Sequence, residues 1–100
     1  MDQWVEQHVP KIQELMRRYG VERAYLFGSA AKGTMTESSD VDFIIRFPAH
    51  MHYESYANNY FALAQALEEL LKKDVELVTE RTLQNPYLLQ NINQHKVQLL

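Results

Sequence analysis

Ten residues separate a Gly-Ser pair, Gly28-Ser29, from an Asp-x-Asp pair, Asp40 and Asp42, and an apolar, strand-like run stands on each side of the intervening loop. Side chains on a strand alternate between its faces. Asp40 and Asp42 therefore project from one side, and Val41, Phe43, Ile45 and Phe47 from the other. Two neighbouring carboxylates repel, and divalent cations are the usual compensation for hard oxygen ligands so close together. Ahead of them, Tyr25-Leu26-Phe27 runs into Gly28. A short turn or helix beginning at Ser29 would offer unpaired backbone N–H groups to an anion such as phosphate. Each part alone is ordinary, since Gly-Ser opens many loops and Asp-x-Asp ends many strands. Their spacing, with rigid apolar strands on both flanks, is the informative feature.

Gly28-Ser29, ten residues, then Asp40-Val41-Asp42 resembles the defining motif of the DNA polymerase β-type nucleotidyltransferase superfamily, and the small size resembles its minimal nucleotidyltransferase (MNT) branch. The resemblance covers nearly all of the chain. It implies an α+β fold with a leading helix, a long helix after the Asp-x-Asp strand, and a third strand bearing a third carboxylate. Residues 73–79 fit that strand: Val75 and Leu77 alternate with Asp74, Glu76 and Val78. The family pattern falls on Glu76, one methylene longer than the usual aspartate, and Asp74 on the same face is the alternative. The loop after Ser29 also departs from the pattern. Many relatives carry arginines where this chain has Ala30, Ala31 and Lys32. Lys32 could still meet a triphosphate as a point charge, without the bidentate fork of a guanidinium, or be a solvated loop lysine.

The resemblance implies nucleotidyl transfer from a nucleoside triphosphate such as ATP, with two Mg²⁺ ions about 4 Å apart. Asp40, Asp42 and Glu76 would be both the metal ligands and the catalytic set. Gly28, Ser29, Lys32, Gly33 and Ser39 would hold the nucleotide.

One hundred residues with 46% hydrophobic and 11% aromatic content form one domain, residues 1–100, with a single small core. There are no cysteines, which excludes disulfides and thiolate metal sites. No apolar run approaches membrane-spanning length and the N-terminus lacks a signal-peptide pattern, so a cytoplasmic protein is expected. Thirteen acidic against ten basic residues argue against stable nucleic-acid binding, which needs clustered Lys and Arg.

Periodicity predicts about four helices around a small mixed sheet of about three strands, 21–27, 40–47 and 75–78. Val5, Val9, Ile12, Leu15, Met16 and Tyr19 form a helical stripe that Gly20 should stop. Pro10 would break the hydrogen bonding of a helix interior, so this helix either starts near His8 or is kinked. A long helix carries Tyr56, Tyr60, Phe61, Leu63, Ala64, Leu67, Leu70 and Leu71. Asn85-Pro86 reads as an N-cap followed by proline at the first helical position. Leu99 and Leu100 are expected to close the core, or else to meet a partner. His50 and His52 read as surface residues, and Tyr53, Tyr56 and Tyr60 as the edge of a nucleotide pocket, a partner surface or core.

Polymerases and antibiotic-modifying relatives add domains that hold the acceptor, so here the acceptor is expected from elsewhere. For the MNT branch the resemblance implies a HEPN-domain RNase toxin, with the MNT protein as the antitoxin that adenylylates a toxin tyrosine. Two alternatives stand beside that expectation. One is neutralisation by docking alone, and the other a small-molecule nucleotidyltransferase with its acceptor pocket between the subunits of a homodimer.

Overall fold

In the computed structural model, which describes residues 1–100, the chain starts with a capped helix. The Asp2 side chain accepts from Val5 N–H at 3.0 Å and opens α1, Gln3–Arg18. Of the two alternatives that Pro10 left open, the start near His8 is not the one adopted: the helix begins five residues before His8 and carries the proline inside it. An interior proline costs about 3 kcal/mol. Val5 is fully buried, which alone returns about 1.5–3 kcal/mol, and Val9 packs against the same core. The burial of this first stretch, with its cap, outweighs the lost hydrogen bond. At the other end Gly20, at φ +81°, donates to Arg17 C=O while Val21 N–H reaches Met16 C=O. That pair is a Schellman motif, and it stops the helix at the expected glycine.

Four strands follow, one more than expected, with β1 Arg23–Phe27, β2 Val41–Arg46, β3 Val75–Thr79 and β4 Val97–Gln98 in the order β3-β2-β1-β4. The sheet is mixed. β1 runs antiparallel to both β2 and β4, whereas β2 and β3 are parallel, joined through the long helix α3, Tyr53–Leu71. The remaining helices are the short α2, Gly28–Lys32, and α4, Pro86–His95, whose N-cap Asn85 accepts from Tyr87 and Leu88 N–H groups.

One face of the sheet, with Ala24, Leu26, Val41, Phe43, Ile45 and Leu77, is buried with Val5, Ile12 and Met16 of α1 and Leu63, Leu67 and Leu71 of α3. Leu99 joins this core and Leu100 packs against it. Strand alternation leaves Tyr25, Phe27, Asp42, Ile44, Glu76 and Val78 on the opposite face.

The edge strand β3 is guarded. Val41 N–H donates to Asp74 C=O, so in this parallel pairing the carbonyls of Leu77 and Thr79 point away from the sheet. Tyr60 Oη donates to the first and Thr82 Oγ1 to the second. Tyr56 packs edge-on against Phe47, and Tyr53 is exposed. His52 caps α3 by accepting from Glu54 N–H. The three tyrosines lie along α3 beside Leu77, Val78 and Thr79, in a groove that does not include Asp40, Asp42 or Gly28.

Candidate active site

Strand register builds the site. Phe27 on β1 stands opposite Asp42 on β2, and Asp42 is paired in turn with Glu76 on β3. The two acidic side chains therefore share one face at one level of the sheet. Gly28 comes immediately after Phe27, so the chain turns into α2 directly beside the Asp42 carboxylate. A Cβ at position 28 would collide with Asp42 Oδ2 and lie 3.3 Å from Cγ. Gly28 also sits at φ +68°, where any other residue is strained. Glycine is required here twice over.

The electrostatics follow from this crowding. Asp42 is half-buried, and its pKa is pushed up to about 6, first by burial, then by a hydrogen bond with the Glu76 carboxyl, then by the negative charges of Glu76 and Asp40. The contacts are of hard oxygens with excess negative charge. Such a donor set fits a hard divalent cation, whose charge would reverse the repulsion.

Asp40 is the outlier of the expected trio. It lies exposed just before β2 and contributes its field to Asp42, but no three acidic or histidine side chains converge to metal-binding geometry. Three like charges converge only against mutual repulsion. The pair that stands together is Asp42 and Glu76. Asp74 uses its carbonyl to bind Val41 N–H, and its side chain lines a polar cavity with Ser38, Ser39, Asp40, Lys72 and Lys73.

The expected nucleotide ligands divide into two groups. Ser29 is half-buried in the first turn of α2, next to Gly28, and its carbonyl accepts from the Gly33 and Thr34 N–H groups. Lys32 is exposed in the last turn. Gly33 ends α2 in the left-handed conformation at φ +77°, and a Cβ there would meet nothing within 4 Å, so it serves the backbone turn. Ala30 and Ala31 are buried against the core, which explains small side chains at those positions. The Ser39 side chain is engaged within its own loop. Its Oγ accepts from Thr36 N–H at 2.9 Å and lies 3.1 Å from Thr36 Oγ1.

Lys73 belongs to no motif in the sequence. Its Nζ donates to the carbonyls of Thr36 at 3.2 Å and Glu37 at 2.9 Å, in the loop that leads to Asp40. The only sequence signal is a lysine at the foot of the third strand.

The profile of the nucleotidyltransferase domain matches residues 9–99, nearly the whole of the chain and all of the site just described. The chain belongs to the nucleotidyltransferase domain family. Among relatives of this nucleotidyltransferase, a candidate protein adenylyltransferase of Methanocaldococcus jannaschii is 34% identical, with 84% of this chain and 90% of that protein covered. The crystal structure of a toxin-antitoxin with AMP-PNP superimposes with a TM-score of 0.72 at 30% identity, covering 92% of this chain and 72% of the other. A tri-AMPylated Shewanella oneidensis HEPN toxin in complex with its MNT antitoxin gives a TM-score of 0.66 at 26% identity, covering 95% of this chain and 71% of the other. The sheet, the leading helix and the long helix after β2 are thus those of a minimal nucleotidyltransferase. No helix of this nucleotidyltransferase is long and apolar enough to cross a membrane.

Proposed function

We propose that this nucleotidyltransferase transfers AMP from ATP to a tyrosine hydroxyl of a HEPN-type toxin and thereby neutralises it. The observation that carries this reading is the apposition of Gly28 to the Asp42–Glu76 pair, which puts a backbone turn open to phosphate against a hard-oxygen donor set. Support for the acceptor and partner comes from relatives. One is named a candidate protein adenylyltransferase, and another is an antitoxin in complex with an AMPylated HEPN toxin.

Asp42 and Glu76, with Asp40 at the margin, would hold Mg²⁺, which when bound neutralises the triphosphate and lowers the pKa of the acceptor hydroxyl. The tyrosine oxygen forms a bond to the α-phosphorus, the bridging bond to the β-phosphate breaks, and pyrophosphate leaves. Glu76 is the more exposed of the paired carboxylates and is open to the phenolic proton. Gly28 lets the backbone approach the triphosphate, and Ser29 Oγ donates to a β- or γ-oxygen. Lys32, exposed at the end of α2, adds a point charge.

A second reading is neutralisation by docking alone. One observation favours it: with Ala30 and Ala31 buried in the core, Lys32 is the one cation that α2 offers a triphosphate. Cells expressing the toxin separate the readings. Transfer predicts rescue by the wild-type chain and none by Asp42→Ala at equal protein level; docking predicts rescue by both.

A further inference from the structure

We infer that Lys73 is a positioning residue for the acidic set, tying the loop that carries Asp40 to the strand that carries Glu76; this rests on reading the set as a metal and nucleotide site. Asp40 follows a tight turn in which Ser39 N–H donates to Thr36 C=O at 3.1 Å and Ser39 Oγ accepts from Thr36 N–H. Nothing in that turn itself fixes where it stands relative to the sheet. Met35, just before the turn, packs against the core, and two hydrogen-bonded attachments tie the turn to β3. On one side of Asp40, Val41 N–H donates to Asp74 C=O at 2.9 Å. On the other, Lys73 Nζ bonds the carbonyls of Thr36 and Glu37. Both attachments end on consecutive residues, Lys73 and Asp74, at the foot of β3, so the position of Asp40 is referred to the strand that bears Glu76. Release of the lysine would leave the stretch before Asp40 anchored only by the packing of Met35 against the core, with no bond of its own to β3.

Lys72 provides an internal control. It lines the same polar cavity beside Asp40 and Asp74 and carries the same charge, yet its side chain makes no hydrogen bond to the loop. Charge and positioning therefore predict opposite signs. Removing a cation beside a metal site favours metal binding through simple electrostatics. Removing a positioning residue weakens it, because groups that orient metal ligands typically contribute 10- to 100-fold to affinity.

The test is a Mn²⁺ titration of the whole chain, followed by paramagnetic broadening of backbone amide NMR signals, with amide exchange measured on the same samples. Lys73→Met should weaken Mn²⁺ binding by about tenfold and speed exchange at Ser39 and Val41. Lys73→Arg, which can still donate to two carbonyls, should restore both, and Lys72→Met should leave Mn²⁺ binding equal or tighter. Unchanged or tighter binding in Lys73→Met overturns the inference, as does faster exchange without weaker binding, which would make the lysine structural only. If the wild-type chain shows no saturable broadening around Asp42, or Asp42→Asn shows the same broadening, the metal-site reading itself fails and this inference with it.

Discussion

Replacing Gly28 by alanine probes the closest approach in the site. An L-residue in the left-handed region costs about 1–2 kcal/mol. At Gly33 that is the whole penalty, because nothing stands within 4 Å of the added methyl. At Gly28 the methyl also meets the Asp42 carboxylate, and turning that side chain off its rotamer adds about 0.5–1.5 kcal/mol. The sum is about 1.5–3.5 kcal/mol for Gly28→Ala. A kcal/mol moves the melting temperature of a domain this size by about 4–8 °C, so Gly28→Ala should melt roughly 6–28 °C low and Gly33→Ala roughly 4–16 °C low. Melting followed by circular dichroism measures both. The decisive comparison is a double-mutant cycle, because the strain is common to the two glycines and the collision is not. In an Asp42→Ala background the carboxylate is gone, and of the three atoms nearest to position 28 the Cβ of residue 42, at 3.6 Å, is the one that remains. The cost of Gly28→Ala should then fall by about 0.5–1.5 kcal/mol, toward that of Gly33→Ala. A cost that is the same in both backgrounds would refute the apposition of Gly28 and Asp42.

Two further outcomes follow from the electrostatics. The Asp42 carboxyl is raised to about 6 in the folded chain, so the folded state holds a proton that the unfolded state releases. Metal-free stability should therefore decline as pH rises from about 4 to 6, by about 1–2 kcal/mol once solvent screening of this half-exposed group is allowed for. Without metal, Asp42→Asn should melt above the wild type at pH 7.5 and close to it at pH 4.5; a wild type at least as stable at pH 7.5 as its Asn variant would contradict this. Because Glu76 pairs with Asp42 whereas Asp74 lines a separate cavity, Glu76→Gln should slow transfer about tenfold or more, and more than Asp74→Asn does. The reverse order in a single-turnover assay would move the third ligand to Asp74.

Much of this is legible in the chain, for reasons that differ by residue. The strands β2 and β3 announce themselves by alternation and β1 by its apolar run into Gly28, and Gly20 and Asn85-Pro86 mark helix ends through strictly local bonding. Asp42 and Glu76 can be nominated from one-dimensional pattern. Their pairing cannot, since it depends on the register of two strands joined by a helix of 19 residues. β4 escapes because two residues, Val97-Gln98, carry no periodicity and are a strand only through their pairing with Tyr25 and Leu26. The full length of α1 is hidden by Pro10, whose local cost is visible in sequence while the burial of Val5 that offsets it is not. Ser39 looks like a phosphate ligand from its place before Asp40, but a hydroxyl next to a turn readily bonds the turn's own backbone, here Thr36. Lys73 acts on carbonyls more than thirty-five residues away in sequence, a contact that no local pattern encodes.

Incubating the chain with its partner protein, ATP and Mg²⁺, followed by intact mass spectrometry of the partner, tests the central claim most directly. A mass increase of one or more adenylyl groups on the partner, mapped to tyrosine, is the predicted result. Asp42→Ala, Asp40→Ala and the double variant should abolish it while keeping a folded far-UV spectrum, with losses that do not add because the carboxylates act as one unit. An unmodified partner that is nevertheless neutralised by wild type and Asp variants alike would contradict the claim and leave a binding protein with the fold of an enzyme.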